Sequence, residues 1–210
     1  MIIISHRGYW KSVKEKNTLE AFKRSFQLGF GVETDVRDFD GRLVISHDPS
    51  NSDCLSLEHF FSLYRKHSFC SKLALNIKSD GLQLHIKDLL NNYGIENYFL
   101  FDMSVPDGLL YLNNNMVVLT RQSEYEKLPS YYELADGLWI DEFHGHWVTD
   151  EIIENHLENG KVVCLVSPEL HNRDYLSEWS HYKSIEKKIG KNIMMICTDY
   201  PEEAEEFFNA

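Results

Sequence analysis

Residues 2–8 read Ile2-Ile3-Ile4-Ser5-His6-Arg7-Gly8, residues 31–35 Gly31-Val32-Glu33-Thr34-Asp35, and residues 43–48 Leu43-Val44-Ile45-Ser46-His47-Asp48. Each stretch carries apolar residues of strand character and ends on groups that hold charge or exchange protons. Two histidines, an arginine and two carboxylates therefore fall at the carboxyl ends of neighbouring strands. In an α/β sheet or barrel that edge is where ligands bind. Glu33 and Asp35 are two apart, so a strand places both carboxylates on one face. Turned inward, such a pair is costly unless a cation or base neutralises it. A hard divalent ion such as Mg²⁺ or Ca²⁺ would do so through oxygen ligands. The competing reading is a solvated strand edge, with Val32, Thr34 and Val36 facing the core.

Outward from these stretches, strand and helix signals alternate along the whole chain. Asn17, with Glu20 three residues later, resembles a capping box with Asn as the cap. Leu19, Phe22 and Phe26 share one helical face, and Gly29 stops the helix. Asp40-Gly41 is a turn signal joining the second strand to residues 42–46, which predicts a hairpin-like extension. Further strands are expected at residues 72–78, 98–101, 116–120, 137–140, 162–166 and 193–197, with helical patterns between them. Thr149 caps one of these helices, and Pro201 with Glu202 and Glu203 opens the last. The fifth helix, around residues 131–134, is expected to be barely a turn. Eight strand–helix units with short links argue for a compact (β/α)8 TIM barrel carrying a short insertion after the second strand. The 210 residues are few for that fold, which typically takes about 250. A doubly wound open sheet is the alternative architecture.

The length fits one domain over residues 1–210 with a full core. The formal net charge of −12 repels phosphate backbones and argues against nucleic acid as a general partner. It does not forbid an anionic substrate in a locally basic pocket. Cysteines stand at 54, 70, 164 and 197 without close pairing, which suggests reduced thiols and a cytoplasmic setting. The chain opens directly into a strand, so no signal peptide is expected. No apolar run approaches the roughly 18 residues that span a membrane.

His6 and His47 each follow an apolar strand. One imidazole as base and the other as acid is a natural pair for splitting a phosphodiester, since each titrates near neutral pH. Asp48 or a neighbouring carboxylate is placed to orient His47. Arg7, beside His6, can hold a phosphate through two parallel hydrogen bonds. Asn76 and Lys78 share a face at the end of the third main strand. Asp141, Glu169 and Asp199 also fall at carboxyl ends of strands, with Asp199 alternatively capping the last helix. His144 and His146 read as rim residues.

Taken in order, these residues resemble the glycerophosphodiester phosphodiesterase family. That family has an HRG near its start, an ENT-x-x-A-F helix opening, an E-x-D strand, an HD after the next strand and a closing T-D-x-P. Here stand His6-Arg7-Gly8, Asn17-Thr18 with Ala21-Phe22, Glu33-Thr34-Asp35, His47-Asp48 and Thr198-Asp199-Tyr200-Pro201. The match is dense over residues 3–48, thinner over 72–78 and sparse up to 198–201.

The resemblance implies a TIM barrel and a metal-dependent phosphodiesterase acting on a small phosphodiester, a glycerophosphodiester or a related headgroup diester. It implies His6 and His47 as general acid and base, Arg7 on the phosphate with Lys78 beside it, and Glu33 and Asp35 on a divalent metal. The family's third strand reads L-x-E-x-K, with the glutamate on the metal. In this chain Asn76 stands at the glutamate position, followed by Lys78. An amide oxygen without charge implies an Mg²⁺ or Ca²⁺ ion held weakly in the free protein. The seventh strand also departs from the family, so the leaving alcohol is left open. A lyase-like first step giving a cyclic phosphate is a variant of the same chemistry. A phosphoryl-ligand binding protein with weakened or lost catalysis is the alternative function.

Overall fold

The structure, a computed structural model, describes residues 1–67, 70–190 and 193–210. Two compact units emerge: residues 1–4 with 119–210, and residues 5–118. The second unit starts inside β1 (Ile2–His6) and continues through α1 (Leu19–Leu28), β2 (Gly31–Phe39), β3 (Arg42–Ile45) and β4 (Leu55–Ser56). It goes on through α2 (Leu57–His67), β5 (Leu73–Ile77), α3 (Gln83–Tyr93), β6 (Tyr98–Phe101) and α4 (Val105–Asn113). The other unit holds β7 (Leu119–Gln122), β8 (Gly137–Ile140), α5 (Asp150–Glu158), β9 (Val162–Val166), α6 (Leu176–Ile189), β10 (Met194–Thr198) and α7 (Pro201–Asn209).

Strand β2 organises residues 5–118. Its first half runs parallel to β5, with Val32 opposite Leu73 and Asp35 opposite Asn76. Its last four residues leave that ladder and pair antiparallel with β3, from Val36 opposite Ile45 to Phe39 opposite Arg42. Asp40 and Gly41 both take positive φ, 49° and 74°. That is the turn whose twist matches a two-residue hairpin, as the Asp-Gly signal predicts. The hairpin has a consequence for the site. It carries the chain back so that Ser46 N donates to the Asp35 carbonyl at 3.1 Å, and His47 follows at once.

Beside the hairpin, α1 buries Ala21, Phe22, Ser25 and Phe26. Its rings meet α2, with Phe22 and Phe60 centroids 4.6 Å apart and Phe26 and Tyr64 5.4 Å apart. Beyond β5, β6 pairs in parallel with Leu75 opposite Leu100. Leu100 in turn bridges Val118, one residue before β7 begins.

In the other unit the strands run β1–β10–β9–β8–β7, all parallel over the ladders from β10 to β7. Their residues are buried on both faces, as in Met194–Thr198, the pattern of a sheet covered by helices. Among the described residues, turns and no α-helix join β7 to β8, as the short signal around 131–134 suggests. Thr149 caps α5 by accepting from Ile152 N. The N-cap position of α7 falls on Tyr200, which makes no side-chain cap bond.

Candidate active site

The His6-Arg7-Gly8 run ends β1 in a bend that only its glycine permits. Gly8 has φ +81°, and a Cβ there would stand 2.9 Å from the Ala21 carbonyl carbon and from the Phe22 ring. The loop thus lies flush on α1, and Arg7 is held in the left-handed region at φ 57°. Arg7 N donates to Glu33 Oε2 at 3.2 Å. Its Nε stands 3.1 Å from Asp35 Oδ2 in an ion pair. His6 Nε2 is 4.0 Å from Glu33 Oε2. Arg7 at the end of β1 is therefore paired in space with both Glu33 and Asp35 of β2.

Glu33 and Asp35 are buried, at 2% and 0% exposure. That overturns the solvated-edge reading. Burial pushes the Glu33 carboxyl up to about 8; the Asp35 charge adds to the shift, and Arg7 and Lys78 oppose it. Lys78 Nζ lies 2.7 Å from Asp102 Oδ2 and 3.8 Å from Asp35 Oδ1. Asp35 is thus flanked by Arg7 on one oxygen and Lys78 on the other. Asn76 stands opposite Asp35 in the β2–β5 register.

Asn17 is a site residue that the capping-box reading missed. The helix cap is Thr18, whose Oγ1 accepts from Ala21 N. Asn17 instead sits at φ 61°, an orientation Asn tolerates better than most residues. Its N donates to Arg7 O at 3.0 Å. Its Nδ2 donates to Asp35 Oδ2 at 2.9 Å, while its Oδ1 accepts from Thr34 Oγ1 at 2.9 Å.

His47 stands at the rim, its side chain 49% exposed. Its Nδ1 lies 2.9 Å from Asp48 Oδ1, as the sequence suggests. Arg37 holds its backbone by donating twice to the His47 carbonyl, at 3.3 and 3.2 Å. Arg7, Lys16, Asn17 and His47 line one open pocket of about 660 Å³.

Two oxygens in this cluster are conspicuous. Asp35 Oδ1 and Asn76 Oδ1 are buried and accept no hydrogen bond. Each such vacancy costs on the order of 1–3 kcal/mol. With Glu33 they form an all-oxygen donor set, the chemistry that a hard divalent cation takes. Among the described residues no three His, Cys, Asp or Glu side chains gather closely enough to hold a metal. The third donor would be the Asn76 amide oxygen.

The remaining strand-end residues belong to the other unit. His171 Nε2 pairs with Asp141 Oδ1 at 2.6 Å. Glu169 accepts from Ser167 Oγ, from Thr198 Oγ1 and from Asp199 N. His146 is bound to Glu142 and to His181, and His144 to Tyr125.

Comparisons with known proteins give the family and the fold. The glycerophosphoryl diester phosphodiesterase family model matches residues 6–198, so the chain belongs to that family and is a phosphoric diester hydrolase by membership. A protein from Galdieria sulphuraria, provisionally classed as a glycerophosphodiester phosphodiesterase, superposes with a TM-score of 0.79 at 20% identity, covering 100% of this chain and 98% of its own. A phosphodiesterase from Oleispira antarctica, solved with the product sn-glycerol-3-phosphate, gives 0.72 at 17% identity over 100% and 97%. The glycerophosphodiester phosphodiesterase of Agrobacterium tumefaciens gives 0.68 at 16% identity over 100% of both chains. These likenesses fix the fold class, an α/β TIM barrel. No curated protein matches.

Proposed function

We propose that this chain hydrolyses a small phosphodiester, a glycerophosphodiester or a related headgroup diester, with His6 and His47 as its acid and base. The observation that carries the reading is the single pocket lined by Arg7 and His47, with Asp35 fixing Arg7 from behind. Arg7 supplies a positive charge to the phosphate, and Lys78 adds a second. The carboxylate of Asp48 holds Nδ1–H of His47, which leaves Nε2 with its lone pair for a hydroxyl proton. His47 therefore fits the base, and His6 the acid that protonates the departing alcohol oxygen. The attacking hydroxyl is water, or a neighbouring hydroxyl of the substrate, which yields a cyclic phosphate first.

A divalent cation fits Glu33, Asp35 and Asn76, because two of these residues present buried oxygens that accept no hydrogen bond. When bound, such an ion supplies positive charge to the phosphoryl oxygens as charge develops on them. With two carboxylates and one neutral oxygen, Mg²⁺ or Ca²⁺ would be held weakly until substrate adds its own oxygens. Binding without turnover, the second reading, leaves the two imidazoles without a task.

The test is a panel of glycerophosphodiesters assayed with Mg²⁺, Ca²⁺ and Mn²⁺ and with chelator. Turnover that depends on added metal is expected, with phosphate monoester or cyclic phosphate as product. Binding of every diester with no turnover under any metal would overturn it.

A further inference from the structure

The loop between β1 and α1 differs in charge from the rest of the molecule. From Arg7 to Arg24 there are six basic residues and two acidic ones, in a chain whose totals are 21 basic against 33 acidic. Glu15 is occupied, because Arg24 NH1 binds its Oε2 at 2.6 Å. That leaves Lys11, Lys14 and Lys16 as the charge the loop presents. Lys11 Nζ lies 3.8 Å above the Tyr9 ring and Lys16 Nζ 4.5 Å above the Trp10 ring. At the tip, Val13 opens a short 3-10 turn and is 72% exposed, between exposed Ser12 and Lys14. Leu19, at the start of α1, is 41% exposed.

An exposed aliphatic tip, half-buried aromatic rings behind it and lysines around it are the parts of a shallow membrane contact. The apolar tip enters the headgroup region, aromatic rings sit at its level, and lysines meet anionic headgroups. We propose that residues 9–16 dock this protein peripherally on an anionic phospholipid surface. Charge complementarity selects that partner. A membrane carrying phosphatidylserine attracts this loop and repels the acidic remainder, including Asp48 and Asp53 on the facing rim of the pocket. The loop is therefore the edge that touches down. Lys16 lines the pocket shared with Arg7 and His47, so, on the phosphodiesterase reading, docking brings the pocket mouth to headgroup diesters at the surface. The docking itself does not rest on that reading, because it is measured without turnover.

The experiment is co-sedimentation of the full chain with vesicles of phosphatidylcholine alone and of phosphatidylcholine with phosphatidylserine in a two-to-one mixture, at low and physiological salt. Binding is expected only with the mixed vesicles, and weaker at the higher salt. Each surface lysine contributes roughly fivefold, so the double variant Lys11→Glu/Lys14→Glu should partition at least about 25-fold less. Val13→Ser should reduce binding severalfold by removing the inserted group, and Val13→Trp should show a blue-shifted emission on vesicles. Unaltered circular dichroism serves to show that the variants fold. The proposal is overturned if wild type ignores the mixed vesicles at low salt, or if the double variant binds as well as wild type. It is also overturned if Val13→Ser binds unchanged while heparin displaces all of the protein, which would mark a polyanion site.

Discussion

Glu142 and Asp35 are both buried carboxylates, and the fold treats them in opposite ways. Glu142 accepts from Trp147 N at 2.7 Å, from Val148 N at 2.9 Å and from the Tyr182 hydroxyl, with His146 Nδ1 2.9 Å away. Glu169, in the same unit, is likewise satisfied by two hydroxyls and a backbone N–H. Asp35 keeps one oxygen without any hydrogen bond, and the neighbouring Asn76 oxygen is in the same condition. A saturated buried carboxylate fastens loops to its surroundings and has no capacity left for a ligand. An open one lowers stability and keeps a lone pair for something that arrives later. The difference distinguishes these carboxylates where burial does not, since Glu142 and Asp35 are both buried.

The largest effect should fall on catalysis in the open cluster. His6→Ala or His47→Ala is expected to lower kcat by at least about 10²-fold on a confirmed substrate. Binding of an unreactive phosphodiester should change little. Near-wild-type turnover in both variants would remove the histidines from the mechanism.

The next effect compares the two regions directly through stability. Glu142→Ala leaves one buried and one part-buried backbone N–H without their acceptor and should cost about 3 kcal/mol in denaturant unfolding. Glu33→Gln in metal-free protein should stay within about 1 kcal/mol of wild type, because it removes no saturated network. Equal losses in the two variants would erase the distinction drawn between them.

Asn76 sharpens the comparison from the ligand side. Asn76→Glu adds a charged oxygen to the open cluster and should tighten Mg²⁺ or Ca²⁺ binding about tenfold in the free protein, a gain of about 1.4 kcal/mol. Asn76→Ala should weaken it only modestly, since water can replace one neutral ligand. Calorimetric titration of the three proteins decides. No tightening in the glutamate variant would place Asn76 outside the coordination sphere.

The smallest expected effect concerns the Asp141–His171 pair. The Asp141 carboxylate holds the His171 imidazolium above its ordinary value, against the opposing effect of burial. A histidine raised in the fold contributes stability that is full below about pH 6.5 and fades as pH rises through its raised value. Asp141→Asn should bring the His171 titration down by NMR and flatten that pH dependence, with a stability change below about 1 kcal/mol. An unmoved His171 titration would show that the contact does not set its charge.

Residues 2–48 alone made much of this legible. The apolar runs, the Asp40-Gly41 turn and the two-residue spacing of Glu33 and Asp35 are local properties. Local backbone preference and strand periodicity were enough to read them, and strand-end placement followed. The helix shortfall after β7 was visible too, as a segment too short to wind. Residue preference by itself puts the cap on Asn17, because Asn ranks above Thr at that position. Only the packing of the Gly8 bend on α1 and the position of Asp35 decide that Thr18 caps and Asn17 turns inward.

The sequence by itself determined the alternation of elements and the family, and it supplied the residues proposed here as acid, base and cation ligands, because each is carried by spacing along one segment. Tertiary structure alone decided which carboxylates are saturated. Glu142 draws donors from α6 and from the loop before α5. Asp35 has on its two sides an arginine from the end of β1 and a lysine from the end of β5. The Tyr182 bond to Glu142 and both cations beside Asp35 come from residues tens of positions away, and no local pattern encodes how many such neighbours will point at one oxygen.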